Sequence, residues 1–200
     1  MIKFFTNREL SRSLDINLAR WKRWSREFLP PDPLGGMQSG YTRQYNPNEA
    51  FKVKLGGHLV ADLKFAIPEA KQILKDLDGW LADKGFYFDI KGRAKSDEGV
   101  DRLINRYIIF IRREKPLDNK FEFIYTVRGI ISNKPVNYKG FEIMEERYVE
   151  TLVGLRKNKT ETIDMDIIRT LNISDVLNNF ANKLGLDRAH YQVLSQLRTI

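Results

Sequence analysis

The side chains best placed to do chemistry lie between residues 20 and 43. Arg20, Lys22, Arg23 and Arg26 follow one another without an intervening acid, and Tyr41 and Arg43 come shortly after. Such groups donate hydrogen bonds to phosphate oxygens and, in favourable geometry, to base edges. A solvated helix face ordinarily intersperses Glu with its Lys and Arg, so an acid-free run of cations points to a polyanionic partner. The chain as a whole agrees, with 34 Lys and Arg against 26 Asp and Glu and a net charge of +8.

Other chemistries are poorly supplied. The absence of cysteine excludes disulfides, thiolate metal sites and cysteine nucleophiles, and His58 and His190, the two histidines, are too few for a histidine-rich metal site. His58 reads as a packed or surface residue. Asp97, Glu98 and Asp101, like Glu142, Glu145 and Glu146, read as surface carboxylates because no histidine or second motif supports catalysis. No nucleotide-binding Gly motif stands out. The expectation is a protein that is not an enzyme and needs neither cofactor nor metal.

The elements that must position the cations are legible from capping and turn chemistry. Thr6 and Glu9 form a capping box that starts a helix, with Leu10 and Leu14 on its buried face and Arg8 and Arg12 together on another. A turn at 14–17 places Ser11, Asp15 and Trp21 in the small, turn and apolar slots of a helix-turn-helix. Asn17 caps the second helix, whose Leu18, Trp21 and Trp24 or Ser25 face the core while the four cations project elsewhere. Leu29-Pro30-Pro31 ends it. Gly35, Gly36 and Gly40 supply a flexible hairpin tip, and alternation along Tyr41, Arg43 and Tyr45 predicts a strand laying Arg43 between two tyrosines against a sugar-phosphate backbone. Asn46, Pro47 and Glu49 open a third helix, within which Gly56-Gly57 predicts a break or a very close packing contact. Ile67-Pro68-Glu69 opens a fourth helix, running through Leu77 towards Trp80-Leu81.

This order of elements resembles the mercury-resistance-regulator (MerR) family of transcription factors over roughly residues 4 to 77. Phe5-Thr6 with Glu9-Leu10 matches the family's aromatic-Thr helix start, and Leu18-Ala19-Arg20-Trp21-Lys22-Arg23-Trp24 its recognition helix. Leu29-Pro30-Pro31 matches the exit, Gly40-Tyr41 with Arg43 and Tyr45 the wing with Thr42 inserted, and Lys64 to Ala70 the final helix-pair segment. The resemblance implies that Lys22 and Arg23 sit at recognition-helix positions and Tyr41 and Arg43 at wing positions used on DNA. Arg20 stands where the family has a Thr. The family's long dimerisation helix is not found after Leu81.

Instead, Asp83-Lys84-Gly85 breaks the helix and strand-like text follows at 86–90, 107–111, 121–131 and 141–153. From Ser174 two helices joined near Gly185 are expected. Ala181, Gly185 and Tyr191 repeat the helix-turn-helix spacing, but the would-be recognition helix 187–196 carries Arg188 as its only cation, so a dimerisation or sheet-packing hairpin is the preferred reading of 174–197 over a second DNA-binding motif. The N-terminus lacks the apolar core of a signal peptide, and no apolar stretch of about 18 residues crosses a bilayer, so a cytoplasmic protein is expected.

The sequence therefore predicts an α+β protein: a winged helix-turn-helix domain over residues 1–82, then a small, mainly antiparallel sheet domain with C-terminal helices over 83–200, serving dimerisation, sensing or partner binding. The function it points to is a sequence-specific DNA-binding transcriptional regulator, acting as a homodimer on a pseudo-palindromic site in duplex DNA, with Arg20, Lys22, Arg23, Arg26, Tyr41 and Arg43 as contacts. Two alternatives stay open: an architectural, excisionase-like DNA-bending protein, and a protein-interaction module whose sheet domain is the working surface. A small-molecule or protein effector would act at the C-terminal domain.

Overall fold

In the computed structural model, residues 3–33, 42–88, 103–114, 122–153 and 167–186 are described. The protein is α+β, with five helices and two antiparallel sheets among these residues. They form two compact units, one holding the described residues up to 88 with 176–186, the other holding those from 103 to 175.

Local chemistry sets the helix ends of the first unit. Strand β1 (Phe5–Thr6) leads into helix α1 (Asn7–Ser13), and the capping box is present: the Glu9 amide donates to the Thr6 hydroxyl at 3.3 Å and the Thr6 amide to the Glu9 carboxylate at 2.7 Å. Asp15 adopts a left-handed φ of 55°, which Asp tolerates better than most residues. The Ser11 hydroxyl closes the same turn by donating to the Ile16 carbonyl at 2.6 Å. The Asn17 side chain accepts from the Ala19 and Arg20 amides and starts helix α2 (Leu18–Phe28), which ends where Leu29 turns extended before Pro30.

Strand β2 (Gln44–Tyr45) returns to pair antiparallel with β1, Tyr45 opposite Phe5. Helix α3 (Pro47–Ala61) begins with a second capping box, Asn46 to Glu49, and runs unbroken through Gly56-Gly57. Close packing is the reason for those glycines: a Cβ on Gly57 would stand 2.2 Å from the Trp24 ring, and one on Gly56 2.6 Å from Phe28. Helix α4 (Ile67–Asp83) starts with the Ala66 amide donating to the Glu69 carboxylate at 2.8 Å and buries Ile73, Leu74, Leu77 and Leu81.

The first unit extends past the expected limit at residue 82. Phe86 stacks on Trp80 at 5.5 Å between ring centroids, Phe88 lies 6.4 Å from Phe51, and Phe180 lies 5.4 Å from Phe51. The strand expected from 86 is absent over 86–88, where the backbone of Phe88 instead bonds the side chain of Asn48 through both its amide and its carbonyl.

In the second unit, strands β3 (Arg106–Glu114), β4 (Glu122–Tyr138), β5 (Phe141–Val153) and β6 (Ile168–Leu171) form one antiparallel sheet in the order β5-β4-β3-β6. Lys139 and Gly140, at φ 50° and 87°, close the β4–β5 hairpin with the doubly left-handed turn that suits a two-residue connection. Strand β4 outruns its predicted end at Ile131 by a full ribbon, after a register irregularity between Ile130 and Ser132. Side chains alternate across the sheet: Tyr107, Ile109, Ile111, Phe123, Tyr125, Val127 and Leu171 are buried on one face. Helix α5 (Ile173–Leu184) follows β6, and Ser174 fixes its start by accepting from the Tyr107 amide at 2.8 Å. The second C-terminal helix, and with it the possible second helix-turn-helix, falls outside the described residues, as do Asp97, Glu98 and Asp101. Among the described residues no helix is long and apolar enough to cross a membrane.

Candidate nucleic-acid interface

Helix α2 is anchored by one aromatic face. Trp21, Trp24, Ser25 and Phe28 are buried, and at about 100° per residue they occupy an arc of about 100°. Lys22, Arg26, Arg23 and Arg20 fall in an arc of about 160° on the opposite side, and all four are exposed. Arg20, Arg23 and Arg26 follow at three-residue intervals and Lys22 lies four from Arg26, so the cations are neighbours along one surface of the helix.

None of these four cations makes an ion pair among the described residues. The one acid of α2, Glu27, is drawn to the neighbouring helix instead: Lys71 Nζ donates to its carboxylate at 2.8 Å, and this hydrogen bond holds the Glu27 carboxyl below its ordinary range. Arg23 and Arg26 contribute least to that lowering. Arg8 and Arg12 of α1 are likewise exposed and without an ion pair among the described residues. They were readable as a four-residue pair, but nothing in that spacing alone marks them as contacts.

Several cations elsewhere in this unit are paired with acids. A groove of about 280 Å³ between α2, α3 and α4 is lined by Lys52, Lys71 and Lys75 over Phe28 and Leu74, yet Lys52 pairs with Asp78 at 3.6 Å and Lys71 with Glu27. His58 bonds Asp62, the residue that caps the end of its helix. The uncompensated charge is concentrated on α1 and α2.

The expected wing strand is put to a different use by the structure. Arg43 is only 15 % exposed at its side chain; it donates to the Pro30 carbonyl at 3.0 Å, faces Glu49 at 3.6 Å and lies 5.4 Å over the Tyr45 ring. Its guanidinium thus clasps the end of α2 to the start of α3 and is not displayed for a phosphate. Tyr45 is buried at 1 % exposure rather than sharing an outer face with Arg43. Its hydroxyl donates to Asn7 Oδ1 at 2.7 Å and lies 2.8 Å from Ser25 Oγ, tying β2, α1 and α2 through one buried polar junction. Two residues of strand explain the failed alternation: pairing with β1 turns Tyr45 onto the core beside Trp21, 5.8 Å away edge to face. Tyr41 lies outside the described residues.

No family model matches the chain, and no curated protein or solved structure is found similar to it. Among the described residues no group of three His, Cys, Asp or Glu could hold a metal ion. Glu145 and Glu146 are occupied on the sheet, with Arg147 at 3.0 Å from the first and Arg106 at 3.6 Å from the second.

Proposed function

We propose that the protein is a sequence-specific DNA-binding transcriptional regulator whose α1-turn-α2 unit is a winged helix-turn-helix of the MerR type, working as a homodimer on a pseudo-palindromic duplex site. One observation carries the reading: the exposed cations of α1 and α2 keep no acid of their own, while Lys52, Lys71 and Arg43 in the same unit do. An uncompensated cationic helix backed by a rigid aromatic face is suited to a major groove, where α2 would present Lys22, Arg23 and Arg26 to base edges and phosphates. Arg20, at the start of that helix, and Arg8 and Arg12 on α1 supply flanking phosphate contacts.

Binding of a duplex selected from a random pool, followed by fluorescence anisotropy over a range of salt, tests this. Each phosphate contact contributes about 0.9 to the slope of log affinity against log salt. Arg23→Ala is expected to lose about 1–3 kcal/mol on the selected duplex and to relax its sequence preference. Lys75→Ala, on α4, leaves that preference alone. Affinity indifferent to salt, or equal in wild type and Arg23→Ala, overturns the proposal.

A further inference from the structure

We infer that Lys71 is a positioning residue for duplex binding: it holds Glu27 against α4 and so keeps the one acid of α2 from neutralising Arg23 and Arg26. The inference rests on the DNA-binding function proposed above and names what keeps the cations of that site free.

Glu27 does not belong to the buried side of α2. At about 100° per residue it falls inside the cationic arc, about 40° from Arg23 and about 20° from Arg20. Arg23 lies four residues back, so the two side chains are neighbours on the helix surface and local geometry allows an ion pair between them. Arg23 and Arg26 already act on the Glu27 carboxyl through space. Both act more weakly than Lys71, whose Nζ bonds the carboxylate at 2.8 Å.

Stability does not account for this pair. The side chains of Lys71 and Glu27 are 48 % and 35 % exposed, and ion pairs so open to solvent contribute little to folding. Glu27 also stands in the last turn of α2, at the negative end of the helix dipole, where an acid is unfavourable. What the pair decides is which cation the carboxylate neutralises. A lysine of α4 is the one neutralised, and the arginines of α2 keep their full charge for phosphates and base edges. Without the Lys71 ammonium, Arg23 becomes the partner within reach along the helix, and a duplex must then compete with the protein's own acid.

The anisotropy titration on the selected duplex compares Lys71→Ala, Lys75→Ala, Glu27→Gln and the double variant Lys71→Ala/Glu27→Gln. Lys75 is the matched control: it lies one turn on along α4, is exposed and has no ion pair among the described residues, so either alanine removes one charge from the same helix. Near 0.1 M salt, Lys71→Ala should bind about three- to tenfold more weakly than Lys75→Ala, with a salt slope lower by up to about 0.9, the effect of one neutralised contact. Adding Glu27→Gln should abolish that difference, because no acid is left to turn. Equal binding by the two alanine variants overturns the inference. So does a loss that persists beside Glu27→Gln, since Lys71 would then act through its own charge. Carbon NMR titration of the Glu27 carboxyl, on the full chain without nucleic acid, reads the same step separately. In Lys71→Ala it should stay below the ordinary carboxylate range and reach it only when Arg23→Ala and Arg26→Ala are added; a return in Lys71→Ala alone overturns the inference. Circular dichroism confirms that each variant is folded. A wild type that ignores duplex DNA sinks the DNA-binding proposal and this role with it; duplex binding indifferent to Lys71 sinks this role only.

Discussion

Gly57→Ala sets two opposing effects against each other, and the structure says which wins. In an ordinary helix interior the change gains about 1 kcal/mol, because alanine loses less backbone entropy on folding. At position 57 the added methyl would lie 2.2 Å from Trp24 Cε3 and 2.3 Å from Cζ3. Carbon atoms prefer about 3.5–4.0 Å, so a gap of more than an ångström must open between α2 and α3. Trp24 cannot yield cheaply: it is 7 % exposed and its ring is rigid. Overpacking of this kind costs about 1–3 kcal/mol and here belongs at the upper end, leaving a net loss of about 1–2 kcal/mol. For a unit of this size that lowers the melting temperature by roughly 5–10 °C. The assay is selective, since all three tryptophans, Trp21, Trp24 and Trp80, lie in the first unit and their emission follows its unfolding alone. Gly79→Ala is the counterpart: nothing lies within 4 Å of its added methyl, so the entropy gain stands unopposed and stability rises by about 0.5–1 kcal/mol. If Gly57→Ala melted at or above wild type, the account of α2 seated flush on α3 would be refuted. Because the cations of α2 stand opposite Trp24, the same substitution should also weaken duplex binding.

Three further outcomes are expected. Tyr45→Phe removes the hydroxyl shared by Asn7 and Ser25 and strands two buried polar groups, a loss of about 1–3 kcal/mol in urea titration. Arg43→Ala should lower stability by about 1–2 kcal/mol while leaving the salt slope of duplex binding unchanged; a slope reduced by one contact would restore Arg43 to the phosphate backbone. The Thr6 amide, and after it the Thr6 hydroxyl, hold the Glu9 carboxyl below its usual range. The contribution of that cap is therefore complete above the ordinary carboxylate pKa and disappears as pH falls through the depressed value, so Glu9→Gln should flatten the acid side of the stability profile.

Features decided within a few residues were legible in the sequence. Thr6 with Glu9, the turn at Asp15, the Asn17 cap and the Asn46-Pro47 helix start each depend on neighbours along the chain, and each is present as read. Gly56-Gly57 was legible as an alternative between a break and a close contact, and only the facing ring of Trp24 decides it. What escaped was set by distant pairing. The segment Asn133-Lys134-Pro135 reads as a turn, yet it continues β4 because β5 supplies partners as far as Phe141 opposite Tyr138. Phe86 and Phe88 carry strand-forming side chains but are claimed by Trp80 and Phe51. At the candidate interface, charge spacing marked Arg20 to Arg26 correctly as an exposed set. It could not foresee that Glu27 would turn to Lys71, or that Arg43 would turn inward to Pro30 and Glu49.

The clasp between Arg43 and Pro30 bears on how freely this chain can change length. It brings together two points separated by 13 positions, so the chain that joins them has both of its ends fixed. Closing entropy grows only logarithmically, and extending that stretch by half costs about 0.4 kcal/mol. Residues can thus be added or exchanged there, by natural drift or by grafting, while the helices on either side keep their places.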